Sequence, residues 1–176
     1  MKPSVGLALL VGALGLVGMV AATNGGGVME QVFGRWFKLR ELIATRHPVD
    51  NTPSEQAVAN LKRLVADVLD PLREALGRPM RITSGFRSAE VNRLVDGAAQ
   101  SQHLRGEAVD FKVAGMASAD VVAFLVSLGL PFDQAIWYDP SRGGHVHVSH
   151  TLTRNRGEVL HARAGGGYVP WTAGVA

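Results

Sequence analysis

The strongest pattern in the sequence is a helical repeat of apolar residues between Ser54 and Gly77. Ser54 is suited to begin the helix, and Gly77 followed by Pro79 is suited to end it. The repeating residues are Val58, Leu61, Leu64, Val65, Val68, Leu69, Leu72 and Leu76. Their spacing places them on one side of a helix, so this helix is expected to pack against the core of the domain.

Short strands are predicted around this helix. Residues 106–113 alternate, with Val109, Phe111 and Val113 on one face and Asp110 on the other. Further strands are predicted at 80–83, 132–138, 145–149 and about 155–163, and further helices at 88–95, with Ser88 as a cap, and at 118–128, with Ser118 as a cap. Helices and strands mix without strict β-α-β alternation, which favours an α+β fold with a small antiparallel sheet and flanking helices.

An uncharged apolar run occupies residues 5–22, directly after a short basic start, and is typical of a signal peptide or membrane anchor. At about 1.5 Å per residue it is roughly 27 Å long, just enough for a hydrocarbon core of about 30 Å. The small residues before position 23 also allow cleavage after Ala22, and a buried core helix is a third interpretation. The expected order is anchor or signal peptide (1–22), glycine-rich linker (23–29), domain (30–164) and C-terminal tail (165–176).

The absence of cysteine restricts any metal site to histidine and carboxylate ligands. Such residues occur in SQHLRGEAVD at 101–110 and in HVHVS at 145–149. A catalytic zinc ion keeps three protein ligands and leaves one position for water. His103, Asp110 and one histidine of HVHVS would supply that set. Gly106 would allow a tight turn between His103 and the strand that carries Asp110.

The two histidines of HVHVS are two residues apart, so His145 and His147 are expected to project from the same face of a strand. This leaves open an unrelated metal-binding β-barrel, in which both histidines bind the ion and Asp110 does not. Nucleic acid is not expected as a partner. The formal net charge is only +3, and the basic residues form no run with interleaved aromatic residues.

The segment SQHLRGEAVD resembles the SxHxxGxAxD zinc motif of the M15 family of D-alanyl-D-alanine carboxypeptidases and endopeptidases. The resemblance extends over residues 36–162, and it is closest to the phage and bacterial M15 subgroup. It implies a hedgehog/DD-peptidase type of α+β fold, with Zn²⁺ on His103, Asp110 and His147. The implied substrate is the peptide of peptidoglycan.

The resemblance also implies a substrate-binding role for two further residues. Arg87, in the segment SGFRS, falls where the family uses an arginine to hold a substrate carboxylate, and Ser101 falls beside it. The planar guanidinium group can bind a carboxylate through two hydrogen bonds.

The chain departs from the family pattern at the general base. Better-known members carry a glutamate three residues before the last histidine ligand, where this chain has Gly144. Tyr138 likewise stands where a glutamate occurs in related phage sequences. The candidate replacements are His145, which is favoured because it lies on the metal-binding face, and Asp139 at the end of the preceding strand.

Two functions follow from the resemblance. The first is an endolysin-like zinc peptidase that trims a terminal D-alanine from peptidoglycan stem peptides or cuts inside the stem. The second is a membrane-tethered, catalytically weak wall-binding or phage structural component that keeps the metal site. In either case the domain is expected on the cell-wall side, anchored through residues 5–22 or exported.

Overall fold

The computed structural model describes residues 31–172. The predicted anchor and linker at 1–29 lie outside these residues. Within the described part of the chain, none of the helices combines the length and the hydropathy that crossing a membrane requires.

The described residues form an α+β domain. Its helices are α1 (Leu39–Leu42), α2 (Glu55–Leu64), α3 (Asp70–Leu76), α4 (Ala89–Leu94) and α5 (Ser118–Ser127). Its strands are β1 (Val32–Phe33), β2 (Phe37–Lys38), β3 (Met80–Ser84), β4 (Ala108–Val113), β5 (Gln134–Tyr138), β6 (Val146–Ser149), β7 (Glu158–Ala162) and β8 (Tyr168–Pro170). Short 3₁₀ turns occur at Gln102–Arg105 and Pro140–Arg142.

The predicted long helix is confirmed. The Ser54 side chain accepts a hydrogen bond from the Ala57 amide, and Gly77 ends the helix in a left-handed conformation with φ 60°. Between α2 and α3 the chain forms a π-helical turn, Val65–Leu69. This turn lies just before Pro71, which lacks the N–H group that a regular α-helix would use there. The apolar face of the helix is fully buried, from Leu61 to Leu72.

The main sheet is larger than predicted and is mixed. Its six strands lie in the order β3-β4-β6-β5-β7-β8, and the β5–β7 pair is parallel while the other pairs are antiparallel. The small antiparallel sheet consists of β1 and β2 alone. The parallel pair arises because Ser149 at the end of β6 and Glu158 at the start of β7 both lie beside Gln134 at the start of β5. The connection therefore returns to the same end of β5.

Two local predictions are wrong. Residues 165–176 were expected to form a tail, but Tyr168–Pro170 pairs with β7 as an edge strand, and the glycines before it form the turn. Ser118 was expected to cap α5, but Ala117 takes the capping position. The Ser118 hydroxyl instead donates a hydrogen bond to the carbonyl oxygen of Tyr138, and this bond ties α5 to β5.

Strand β4 separates the core from the functional face. Val109, Phe111 and Val113 belong to the apolar core that the long helix and α5 also enter. Asp110 lies between them in sequence and therefore points to the opposite face of the sheet, as its alternation predicts. Although it is polar, Asp110 is buried.

Candidate metal centre

Three side chains from three elements meet on this face of the sheet. Asp110 on β4 and His147 on β6 are directly paired in the antiparallel register, and His103 comes from the 3₁₀ turn that precedes β4. Asp110 Oδ1 lies 2.9 Å from His147 Nδ1 and 3.2 Å from His103 Nε2. The two imidazole nitrogens are 3.2 Å apart. All three residues are buried, and they are the single group of possible metal ligands among residues 31–172.

The position of His103 is set by its own loop. Its backbone amide donates a hydrogen bond to the Ser101 hydroxyl, and Gly106 closes the turn with φ 69°. His103 Nδ1 lies 2.7 Å from the Gly85 carbonyl oxygen, which only accepts hydrogen bonds, so Nδ1 carries the proton. In the neutral ring the lone pair is then on Nε2, the atom that faces Asp110 and His147. A second hydrogen bond of this kind is typical of metal-ligating histidines.

The geometry fits a small divalent cation. Ligands at about 2.0–2.1 Å from a tetrahedral zinc ion lie about 3.3 Å from one another, close to the distances in this cluster. Burial raises the pKa of Asp110, but His103 and His147 outweigh it and hold that pKa well below its usual range. Burial lowers the pKa of His147. The lowered pKa values favour the carboxylate form of Asp110 and the neutral form of His147, which are the protonation states that metal binding requires of these two residues.

Arg87 contacts the cluster through the Asp110 carboxylate. Its guanidinium donates a hydrogen bond to Asp110 Oδ2 at 2.7 Å and another to the Ser84 hydroxyl at 2.9 Å. Oδ2 is thereby engaged, while Oδ1 faces the two histidines. Arg87 thus orients the carboxylate, a contact that the sequence did not predict.

The cluster lies where two clefts meet. One, of about 570 Å³, is lined by residues 44–47, β3 and His145, and we call it the basic arm. The other, of about 550 Å³, is lined by Ser101, Tyr138 and Tyr168 among others, and we call it the tyrosine arm. Both clefts include Arg87 and Asp110 in their walls. An extended chain lying along both arms would therefore pass the three ligands.

The two candidate bases lie in different places. His145 lines the basic arm with Asp110, just before β6, and its ring stacks on Tyr138 with centroids 4.0 Å apart. Asp139 lines neither arm. Its carboxylate accepts hydrogen bonds from the amide and hydroxyl of Ser141 and caps the 3₁₀ turn Pro140–Arg142. The structure therefore brings His145 to the groove and does not bring Asp139 there.

Tyr138 lines the groove at a position where a glutamate was expected from the resemblance. Its hydroxyl lies 3.2 Å from that of Tyr168, and Arg142 lies over both rings. Burial and the contact with Tyr168 raise the pKa of the Tyr138 phenol. The phenol is therefore protonated at neutral pH and can donate a hydrogen bond, but it cannot accept a proton as a carboxylate would.

A polar network that the sequence did not reveal supports the metal-binding loop. The buried Asp133 forms two hydrogen bonds with the Arg156 side chain and accepts a third from the Gln102 side chain. Gln102 directly precedes His103, so this network holds the loop next to a candidate metal ligand. Asp133 was interpreted as structural from its sequence, but its partner Arg156 lies 23 residues away and carries no local signal.

The remaining histidines lie outside the cluster. His150 is buried and lies 3.5 Å from Asp67, and His161 stacks on Trp137. His47 lines the basic arm. None of the three joins the group formed by His103, Asp110 and His147.

An α+β domain with a His-Asp-His cluster at the floor of an open groove has the features of a metal-dependent hydrolase. Residues 36–149 match the family model described as Peptidase M15. The chain therefore belongs to the M15 peptidase family, whose members are metalloenzymes, and the M15 family predicted from the sequence is confirmed. No curated protein matches the chain.

Proposed function

We propose that this protein is a zinc peptidase that hydrolyses peptide bonds in peptidoglycan stem peptides. The observation that carries the proposal is the convergence of His103 Nε2, Asp110 Oδ1 and His147 Nδ1 to within 3.2 Å of one another on the floor of a groove. Two imidazoles and one carboxylate are a usual ligand set for catalytic zinc. Zinc at such a site activates water for attack and polarises the scissile carbonyl group.

Three further residues are proposed to accept a proton, donate a hydrogen bond and bind the substrate. His145 is the proposed proton acceptor because it lines the groove beside Asp110, whereas Asp139 is engaged by Ser141. Tyr138 is the proposed hydrogen-bond donor to the developing negative charge, since its raised pKa keeps the phenol protonated. Arg87 orients Asp110, and its proposed contact with a substrate carboxylate would use N–H groups not engaged by Asp110 or Ser84.

The peptidoglycan substrate is supported by family membership and by the groove, which is open enough for a peptide. We propose further that residues 5–22 place the domain on the cell-wall side, as a membrane anchor or an export signal. The support for this location is the uncharged apolar run itself.

A second function has its own supporting observation. No carboxylate occupies the family's base position, since Gly144 has no side chain and Tyr138 replaces the other expected glutamate. A wall-binding protein that keeps the metal but turns over slowly would have this composition. The two functions differ in whether His145 acts as the proton acceptor: the peptidase requires it, and the wall-binding protein does not.

The proposal is tested with the full-length protein, zinc and purified peptidoglycan sacculi, with released peptides identified by mass spectrometry. A peptidase gives products that disappear with a chelator and in Asp110→Asn. Loss of a terminal alanine indicates a carboxypeptidase, and larger fragments indicate an endopeptidase. Zinc-dependent binding to sacculi without any product would support the wall-binding function and refute the peptidase.

A further inference from the structure

The basic arm carries two arginines that have no partner among the residues that the structure describes. Arg46 lies in the loop after α1, and Arg81 lies on β3; both side chains are exposed and both line this cleft. Within residues 31–172, neither guanidinium takes part in a hydrogen bond, ion pair or ring contact. An arginine can donate five hydrogen bonds in a fixed planar arrangement, which matches a carboxylate.

No described residue in the wall of the basic arm neutralises the charges of Arg46 and Arg81. Asp110 is the single carboxylate among the lining residues in the described part of the chain. Its two oxygens are engaged by Arg87 and by the two histidines of the cluster. The hydroxyls of Thr45 and Thr83 lie in the same wall and could donate further hydrogen bonds to an anion.

The tyrosine arm differs in this respect. Its Arg156 is paired with Asp133 at 2.8 Å and with Glu158 at 3.1 Å. Its Arg142 lies over the rings of Tyr138 and Tyr168. Among the described residues Arg142 has no carboxylate partner, and its Nη1 makes no hydrogen bond. The basic arm therefore carries two exposed arginines without a partner, Arg46 and Arg81, against Arg142 alone in the tyrosine arm.

We propose that the basic arm binds a free carboxylate of the peptide substrate through Arg46 and Arg81, and so selects stem peptides whose carboxylates are free over those in which they are amidated. This inference rests on the proposed function, because it names the feature of the stem peptide that the groove recognises. A carboxamide has the same shape but lacks the charge, and its NH₂ group would face donors.

The test compares two synthetic stem peptides that are identical except that the side carboxylates of one are amidated. Binding is measured by fluorescence anisotropy with the full-length protein in the presence of a chelator, so that hydrolysis does not interfere. We expect the acidic peptide to bind about tenfold more tightly, as two hydrogen bonds to a charged group allow. The double variant Arg46→Gln/Arg81→Gln should lose this preference.

The matched control is Arg93→Gln. Arg93 is an exposed arginine on α4 that lines neither arm. Arg93→Gln removes one positive charge, as each substitution of the double variant does, but it leaves the cleft unchanged. It should keep the preference, and thermal melting should show that all variants fold. Equal binding of the two peptides, no binding of either, or a preference that survives in the double variant would overturn the inference.

The two proposals fail separately. If zinc-loaded protein cleaves neither peptide but the binding preference persists, the peptidase proposal fails and the basic arm retains its role. If both peptides are bound and cleaved equally, the peptidase proposal stands and the inference about the basic arm fails.

Discussion

Asp110 and His147 face each other directly across the antiparallel pair β4–β6, with Oδ1 and Nδ1 2.9 Å apart. The strand register thus places two of the three candidate ligands together. A shift of one residue in this pairing would turn one of the two side chains into the apolar core. Correct pairing of β4 with β6 and formation of the metal site are therefore the same structural event.

Removing the ligand charge should abolish metal binding. Asp110→Asn keeps the shape of the side chain but removes the anion that faces both histidines, and we expect zinc affinity to fall by more than about a hundredfold. Competition with a chromophoric chelator measures this. The control is Asp139→Asn, because Asp139 lines neither arm of the groove. Equal zinc affinities for the two variants would contradict the ligand assignment.

Gly106 should tolerate no side chain. An added Cβ would collide with the carbonyl oxygen of Ala57, and the φ of 69° already disfavours other residues. We expect Gly106→Ala to lower the free energy of unfolding by about 3 kcal/mol and to weaken zinc binding by displacing His103. Gly129→Ala is the control, since Gly129 has a similar φ of 64° and open space around it.

Denaturant titration distinguishes the two glycine variants. The control should lose only about 1 kcal/mol from backbone strain and should keep its zinc affinity. Equal losses in both variants would show that the contact with Ala57 contributes nothing.

Asp133 should make stability depend on pH. The hydrogen bond from Arg156 is the largest cause that lowers the Asp133 pKa. A lowered folded-state pKa means that the stabilisation is present above the unfolded value of about 3.9 and is lost as the pH falls through the folded value. Asp133→Asn should therefore cost about 1–2 kcal/mol at pH 7, because Arg156 is half exposed, and less near pH 3.5.

Urea titrations of Asp133→Asn and the wild-type protein at the two pH values provide the measurement. A difference in unfolding free energy that stays constant from pH 7 to pH 3.5 would show that the charge of Asp133 does not stabilise the fold.

His145 should affect turnover and leave metal binding unchanged. Loss of a general base typically slows a reaction by about a hundredfold or more, so we expect that loss of kcat in His145→Gln. Asp139→Asn should retain activity, because its carboxylate is engaged by Ser141. Steady-state kinetics on a stem peptide, together with zinc titration, separates these effects. Full activity in His145→Gln would remove it as the proton acceptor.

The sequence predicted those features that depend on local spacing. The long helix, its Ser54 cap and the alternation that turns Asp110 away from the core all follow from periodicity over a few residues. The grouping of His103, Asp110 and His147 came from the segments SQHLRGEAVD and HVHVS and from the resemblance of the first to the M15 zinc motif. These features are encoded by residues close together in the chain or by one distinctive pattern.

Features that depend on distant segments were not predicted. The parallel pairing of β7 follows from the path of residues 150–157, which strand periodicity does not encode. The contact of Arg87 with Asp110 requires β3 and β4 to be neighbours, and the Asp133–Arg156 pair joins the residue before β5 to a distant loop. Ser118 resembles a helix cap in sequence, but a tertiary hydrogen bond to Tyr138 uses its hydroxyl.

The central claim is that His103, Asp110 and His147 together hold one divalent cation. Anomalous diffraction at the zinc edge, from crystals of the zinc-loaded protein, tests it most directly. We predict a single strong peak with two imidazole nitrogens and one carboxylate oxygen at about 2.0–2.1 Å. A peak bound by His145 and His147 without Asp110, or no peak within reach of these three side chains, would contradict the claim.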